Sequence, residues 1–300
     1  MTLPRVAVLL ASYNGSAFIR EQIDSILGQE DVHVHVFVSD DGSTDGTLGH
    51  VVAYQGKSVT VLPMVKSGGP AQNFFRLLYD APWEEFDFVA LSDQDDIWHA
   101  EKLSRACAMH RACGLAAYSS NVTAFWPDGR RKLIQKAQRQ RRMDYLFEAA
   151  GPGNTYVLSV PCARLIVARL GAAPPARVRN IALHDWLFYA IIRAHGLPWH
   201  IDPRPSLDYR QHQANVVGTG HSLRRIRKRL GMLMGDWYMD QLGTIAEIAG
   251  ITGPEIDFIH APSPAGLAHM LRHLGDYRRK KSEAAVLGVT FARHAFRRSG

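Results

Sequence analysis

The sequence is poor in cysteine: Cys107, Cys113 and Cys162 are its only three in 300 residues. They are too few and too scattered for a disulfide framework or a zinc site, which points to a reducing compartment. No stretch approaches 18 uncharged apolar residues, so a membrane-spanning helix is not expected. The first residues, MTLPRVAVLLASYNG, hold one basic residue and a short apolar run that leads straight into a polar motif. They read as a first core strand and not as a secretion signal. There is no GxGxxG, and GSTDGT lacks the Gly-Lys-Ser/Thr that ends a phosphate loop. Internal repeats and low-complexity segments are absent too. What is present, 46% apolar and 21% charged residues, belongs to a globular chain able to bury its own core. Its length fits one large domain or two small ones.

The net charge of +7 is unevenly placed: residues 1–220 carry 22 Lys and Arg against 21 Asp and Glu, and residues 221–300 carry 13 against 7. The main body is therefore not a general nucleic-acid binder. The C-terminal part is the region that would meet an anionic partner such as a membrane surface.

Periodicity organises the first half. RVAVLLA (5–11) is an apolar run ending at SYNG, and residues 16–29 place Ile19, Ile23, Ile26 and Leu27 on one helical face. Val32, Val34, Val36 and Val38 alternate as in a strand that ends at DDGSTDG. A short helix through Val52 and a strand at 59–64 follow, then KSGGP with Pro70 placed to open a helix to Leu78. FDFVALS (86–92) reads as a buried strand, DQDD (93–96) as a turn and 97–110 as a helix. Such alternation implies right-handed crossovers and a mostly parallel sheet with helices on both faces. Ligands of such sheets sit beyond the C-terminal strand ends, where all four polar clusters fall. Further on, 115–125 reads as a strand, 127–142 as an exposed loop or helix, and 151–160 as a strand. A helix from about residue 181 carries His184–Asp185–Trp186, 205–212 is strand-like, and the chain from His221 reads as helical.

Several residues are candidates for chemistry. Asp93 and Asp95 stand two apart at a strand end, where hard oxygen ligands suit Mg²⁺ or Mn²⁺. The plainer alternative makes Asp96 a helix cap and its neighbours solvated loop acids. Asp40 and Asp41 can accept hydrogen bonds from a nucleobase or ribose, or simply build a turn. SYNG offers backbone and the Tyr13 ring to a base, and KSGGP offers backbone to a phosphate. Asp185, at a helix start, is either a general base or a cap. His212 is either a ligand or a structural histidine. Gly151 and Gly153 read as turn residues, and Asn121–Thr123 is an incidental glycosylation sequon. No Ser/His/Asp or Cys/His set is present.

Taken together, ASYNGSAFIREQIDSILGQ, VSDDGSTDGT, GGPAQNF, ALSDQDDIWHAEKL, GPGNTYVLS, HDW and YRQHQANVVG resemble the inverting glycosyltransferases of family 2. The likeness is greatest to bacterial rhamnosyltransferase-like members and covers about seven tenths of the chain, ending at residue 218. It implies the GT-A fold, an α/β, Rossmann-like, mostly parallel sheet flanked by helices, with a C-terminal helical extension. It places the nucleotide-sugar at Ala11, Ser12, Tyr13, Asn14, Asp41, Gly69, Asn73, Asp93 and Gln94. It makes DQDD the metal element, with Asp93, Asp95 and His212 as ligands of Mg²⁺ or Mn²⁺, and makes Asp185 the catalytic base. His184 stands where many members have an acid. YRQHQAN replaces the QxxRW of processive members, which favours transfer of a single sugar.

The expectation is a catalytic domain over 1–220, divided into a nucleotide-sugar half (1–112) and an acceptor half (113–220), followed by a basic helical extension over 221–300. The expected reaction moves a sugar, rhamnose by likeness, from a nucleoside-diphosphate-sugar to a saccharide or lipid-linked acceptor, in bacterial surface polysaccharide synthesis. The two alternatives are a sugar-phosphate nucleotidyltransferase and a non-catalytic sugar-nucleotide-binding scaffold. A cytoplasmic enzyme is expected, resting on the inner face of the cytoplasmic membrane. Leu223, Ile226, Leu230 and Leu233 would form an apolar stripe beside Arg224, Arg225, Arg227, Lys228 and Arg229, giving 221–235 either a peripheral membrane contact, a packing role or a homodimer interface.

Overall fold

The continuous apolar run that opens the chain becomes a strand buried on both faces. In the computed structural model, which describes residues 2–56, 58–212 and 235–297, β1 (Arg5–Ser12) lies inside a seven-stranded sheet. Val6, Val8 and Leu10 point into one core layer, Ala7 and Leu9 into the other. A strand with two covered faces needs this unbroken apolar pattern. On one side of β1 lie β2 (His33–Asp40) and then β3 (Val59–Val61), and on the other lies β4 (Phe88–Ser92), all parallel. Helices α1 (Ile19–Leu27), α2 (Thr47–Val52) and α3 (Pro70–Asp80) connect them. The polar clusters after β1, β2, β3 and β4 therefore share one edge of the sheet, as the alternation predicts.

Beyond β4 the pattern read from sequence is revised. Ile97–Trp98 (β5) is a short strand, so α4 (Lys102–Cys113) starts five residues later than the apolar spacing suggests. The 115–125 run splits into β6 (Ala117–Ser120), in the main sheet, and β7 (Val122–Phe125), in a second one. Arg131–Ile134, expected as loop or helix, forms β8 against β7. It is an edge strand with mostly exposed side chains, so it lacks the apolar alternation that reveals a half-buried strand. After α5 (Asp144–Phe147), β9 (Val157–Ser159) runs antiparallel between β4 and β6. Then come α6 (Val160–Ala172), α7 (Pro175–Asn180), α8 (His184–Ala194), β10 (Trp199–Asp202) and β11 (Leu207–Arg210). The main sheet has the order β10-β6-β9-β4-β1-β2-β3, and β5-β11-β7-β8 form a second sheet.

The C-terminal residues form α9 (Asp236–Ala249), α10 (Pro254–His260), α11 (Pro264–Arg272), α12 (Leu274–Tyr277) and α13 (Lys281–Arg297). Tyr238, Leu242, Ile245, Leu287 and Phe291 join the core layer that α3, α6 and α8 build on the sheet. The Tyr238 hydroxyl donates to the Phe147 carbonyl at 2.9 Å, and its ring stacks on Trp186 at 5.5 Å. The basic run and apolar stripe at 223–233 lie outside the described residues. Among those that are described, no helix is long and apolar enough to cross a membrane. All three cysteines are free.

Candidate active site

The loops at the sheet edge are tied to one another by their own side chains. Asp40, only 1% exposed, accepts from the amides of Gly42 and Ser43 at 3.1 and 2.8 Å and from the hydroxyls of Ser12 and Ser43 at 2.9 and 2.6 Å. Its carboxylate is spent on holding the turn. Asp41 takes three consecutive amides of the next loop: Ser67, Gly68 at 3.1 Å and Gly69 at 2.9 Å. The backbone that KSGGP offers to a phosphate is thus already engaged by a carboxylate. Asn73 is buried, and its amide group donates to the Ser39 carbonyl at 2.9 Å and the Ser12 carbonyl at 3.4 Å, joining the ends of β1 and β2.

Gln94 does the same for SYNG. Its oxygen accepts from the Tyr13 amide at 2.8 Å and its nitrogen donates to the Tyr13 carbonyl at 2.9 Å. A Cβ on Gly15 would collide with this side-chain amide, which explains a glycine there. Asn14 adopts φ 47°, a left-handed conformation that Asn tolerates, and it exchanges hydrogen bonds with Ser43 and Thr44. The Tyr13 ring stands exposed above this framework, and Ala11 at the end of β1 is partly buried.

The acids meet beside it. Asp93 is pushed up to about 7 by burial, then by the charges of Asp95 and Asp185, with Lys102 acting in the opposite direction. Asp96, which the plainer alternative makes a helix cap, is buried in this cluster, and the residue before α4 is Glu101. The Asp96 carboxylate accepts from the Arg210 amide at 3.0 Å and from the Asn154 side chain. Burial, Asp95 and Asp93 hold it well above the usual carboxylate range. β11, pairing antiparallel with β5, brings its end over DQDD: Arg210 Nε donates to the Asp95 carbonyl at 2.9 Å, and His212 Nε2 lies 2.7 Å from Asp95 Oδ2.

Asp185 is the second residue of α8. Its carboxylate accepts from the adjacent Trp186 amide, 2.8 Å away, while burial raises its pKa to about 6. His184 is buried, stacked on Phe74 at 4.0 Å, and lowered to about 3 by burial, so it stays neutral. Gly153 does more than turn the chain. A Cβ there would stand 2.5 Å from His184 Nε2 and 3.3 Å from the Asp185 Cβ. Tyr156 donates to the Asp185 carbonyl at 3.2 Å and so ties the glycine loop to the helix start.

The structure therefore gathers Asp93, Asp95, His212 and Asp185. It gives Asp40, Asn73 and Gln94 framework bonds. Sequence reasoning missed Lys102, which is buried with its ammonium 3.0 Å from the centre of the Trp98 ring and 2.9 Å from the Asn154 carbonyl. Burial lowers its pKa strongly, and Asp96 and Asp93 partly restore it. It also missed Tyr209, whose hydroxyl is raised by burial and by all four aspartates of the cluster. The only signal for either was proximity to DQDDIW and YRQH.

Among the described residues no three His, Cys, Asp or Glu side chains are arranged to hold a metal ion by themselves. The donor set still fits Mg²⁺ or Mn²⁺. These ions need few protein ligands because waters and substrate phosphates complete their shell. The like-charge crowding at Asp93 is of the kind a divalent cation relieves.

Residues 7–166 match the model of the family described as Glycosyl transferase family 2. The dTDP-rhamnosyl transferase RfbG of Shigella flexneri is 41% identical over 245 residues, 79% of this chain and 83% of that protein. The putative teichuronic acid biosynthesis glycosyltransferase TuaG of Bacillus subtilis is 30% identical over 38% of this chain and 45% of its own. Among solved structures, S. aureus TarS 1–349 in complex with UDP-GlcNAc superposes with a TM-score of 0.57 at 18% identity, covering 98% of this chain and 92% of that one. The mannosyltransferase PcManGT from Pyrobaculum calidifontis, in complex with GDP-Man and Mn²⁺, gives 0.54 at 16% identity over 98% and 86%. These two likenesses establish the fold.

Proposed function

The chain belongs to glycosyl transferase family 2, and from that premise we propose that it moves rhamnose from a nucleoside-diphosphate donor to a hydroxyl of a saccharide or lipid-linked acceptor, inverting the anomeric centre. The observation that carries the mechanism is the meeting of Asp185 with Asp93 and Asp95 at the ends of the parallel strands. The choice of rhamnose is supported by 41% identity with the Shigella enzyme over four fifths of the chain.

In this reading Asp93, Asp95 and His212 would hold Mg²⁺ or Mn²⁺, which neutralises the diphosphate leaving group. Ala11, Ser12, Tyr13, Asn14, Asp41, Gly69, Asn73 and Gln94 frame the nucleoside. Tyr13 supplies an exposed ring for the base, Asp41 a carboxylate that can exchange its amides for a ligand, and the buried members the rigid floor beneath. Asp185 takes the proton of the acceptor hydroxyl, which attacks the anomeric carbon from the face opposite the leaving diphosphate. A base with a pKa near 6 is ionised at neutral pH yet basic enough to accept that proton. One displacement needs no enzyme nucleophile. Residues 1–112 then serve the donor, 113–220 the acceptor, and 221–300 are appended to both.

The test is Asp185→Asn. Donor binding should survive, while transfer falls by about 10²–10⁴-fold. In the unchanged protein the rate at saturating substrate should fall as pH drops through about 6, because protonated Asp185 accepts no proton. Near-normal transfer by Asp185→Asn, or a rate flat from pH 7 to 5, would remove Asp185 from the role.

A further inference from the structure

Five of the six tryptophans serve the two core layers: Trp83, Trp98, Trp186 and Trp199 are buried in them, and Trp237 packs against one. Trp126 belongs to neither layer. It is half-buried at the tip of the hairpin that joins β7 to β8, followed by the exposed Pro127, Asp128, Gly129 and Arg130. The tip is fixed by its own bonds. The Trp126 amide donates to the Arg130 carbonyl and the Gly129 amide to the Trp126 carbonyl, both at 3.0 Å. Gly129 supplies the left-handed φ of 84°. Asp128 accepts from the Arg130 amide at 3.2 Å and from its Nε at 2.7 Å, and the Arg130 guanidinium carbon lies 5.3 Å from the centre of the Trp126 ring.

Topology carries this tip to the candidate site. In the second sheet β11 pairs with β5 on one side and with β7 on the other, and Arg210 stands opposite Phe125. The same Arg210 donates from its Nε to the Asp95 carbonyl at 2.9 Å and from its amide to the Asp96 carboxylate at 3.0 Å, and its guanidinium carbon lies 4.6 Å from the centre of the Phe125 ring. The Gln211 amide then donates to the Phe125 carbonyl at 2.9 Å, which makes Trp126 the first residue beyond the ladder. DQDD, His212 and the 126–130 tip therefore share one end of this sheet. Two strand spacings, roughly 10 Å, separate the backbone of DQDD from that of the tip. Asp96 also accepts from Asn154, whose neighbour Gly153 faces Asp185. A line of direct contacts thus runs from Asp185 through the 153–154 loop, Asp96 and Arg210 to Phe125 and its neighbour Trp126.

We propose that Trp126, flanked by Asp128 and Arg130, is an outer acceptor subsite that stacks on the sugar ring preceding the one whose hydroxyl is attacked, so that the acceptor is a saccharide chain of at least two residues. The proposal rests on the reading of Asp185 as the base and of a saccharide as the acceptor. A pyranose presents a flat face of C–H groups, which an indole ring can cover, and a rim of hydroxyls, which call for hydrogen-bond donors and acceptors beside that ring. Arg130 and Asp128 supply both. The whole width of β11 lies between the acids and the tip, further than one sugar ring reaches, so a monosaccharide at Asp185 leaves Trp126 untouched. The charges of Asp128 and Arg130 cancel, which gives the tip no pull on an anionic lipid surface.

The full chain is produced with 5-fluorotryptophan, and the fluorine resonance of Trp126 is identified by its loss in Trp126→Phe. The protein is titrated with methyl glycosides of rhamnose, glucose, galactose, mannose and N-acetylglucosamine, with the disaccharides built from them, and with anionic vesicles free of saccharide. Disaccharides should move the Trp126 resonance, while that of Trp83, 1% exposed, stays in place. By calorimetry, Trp126→Ala should raise the Kd of the binding disaccharide about tenfold, and Trp126→Phe, which keeps an aromatic face, should restore most of the affinity. A Trp126 resonance that no disaccharide moves overturns the subsite, as does a disaccharide Kd that Trp126→Ala leaves unchanged. Monosaccharides that move the resonance with the same Kd overturn the requirement for two sugars. A shift with vesicles alone assigns the tip to a lipid surface and overturns the proposal. Asp185→Asn should keep the disaccharide-induced shift, so failure of the base assignment and failure of the subsite give different results.

Discussion

The two sides of the candidate site are held by different forces. On the side proposed for the donor, neutral groups and solitary carboxylates close the loops onto backbone: Asp40 on the 42–43 turn, Asp41 on 67–69, Asn73 on two strand ends, Gln94 on Tyr13. On the side proposed for the acceptor, charges are buried together. Arg279 is inaccessible between Asp144 and Glu148, and the Tyr189 hydroxyl bridges to Asp144 at 3.1 Å. A hydrogen-bonded loop survives the loss of one bond at modest cost. A buried ion cluster does not, because the partner left behind keeps its desolvation penalty. The donor side should therefore fail gradually when mutated and the acceptor side abruptly.

The largest effect should come from Arg279→Met, which leaves Asp144 and Glu148 facing each other without their shared cation. Removing one partner of a buried pair costs about 3–5 kcal/mol. Urea unfolding should show a drop of that size, with α12 and α13 loosened from α5. A drop below about 1 kcal/mol, the value of an exposed pair, would show that water already reaches the cluster.

The same contrast explains what could be read in the sequence. The donor side is written in contiguous motifs, because each loop follows one strand and bonds to another loop of the same sheet edge. SYNG, DDGSTDG, KSGGP and DQDD announce themselves as turn chemistry at a parallel-sheet edge. The acceptor side is assembled from residues 121, 136, 151–156, 184–185 and 278–280, and no local period links them. Lys102 illustrates the limit: a lysine opening a helix reads as a solvated face, and only the fold of Trp98 and Asn154 around it makes it a buried cation. The strand at 131–134 was missed because exposed edge residues carry no alternation. The cap alternative for Asp96 could not be dismissed from sequence, because capping chemistry and burial draw on the same residue type.

Asn73→Ala sharpens the comparison from the donor side. The residue is buried, and its loss leaves the Ser39 hydroxyl without the acceptor for its proton, though its oxygen still accepts from Arg76 at 2.8 Å, and frees part of the acceptor capacity of the Ser12 and Ser39 carbonyls. Leaving buried polar groups unsatisfied costs about 1–3 kcal/mol. The urea midpoint should fall by less than in Arg279→Met, with an unchanged slope. A loss equal to that of Arg279→Met would mean that the two sides are equally brittle.

The smallest effect on stability should come from Gln94→Ala. Its two bonds to Tyr13 lie at the exposed edge, where water replaces them, and the net worth of such a bond is about 0.5–1.5 kcal/mol. The substitution also removes the group that crowds Gly15, so the SYNG loop gains room to move. Stability should fall by about 1 kcal/mol or less, while nucleoside-diphosphate affinity falls further, since the Tyr13 ring would have to be ordered at the moment of binding. Gly15→Ala in the same background supplies the control. With Gln94 present, its Cβ must displace the side-chain amide and disturb donor binding; with Gln94 gone, it should add nothing. Calorimetry with nucleoside diphosphates on the two single variants and the double variant reads this coupling directly. Additive losses would show that Gln94 acts on the donor itself and not through the loop it holds.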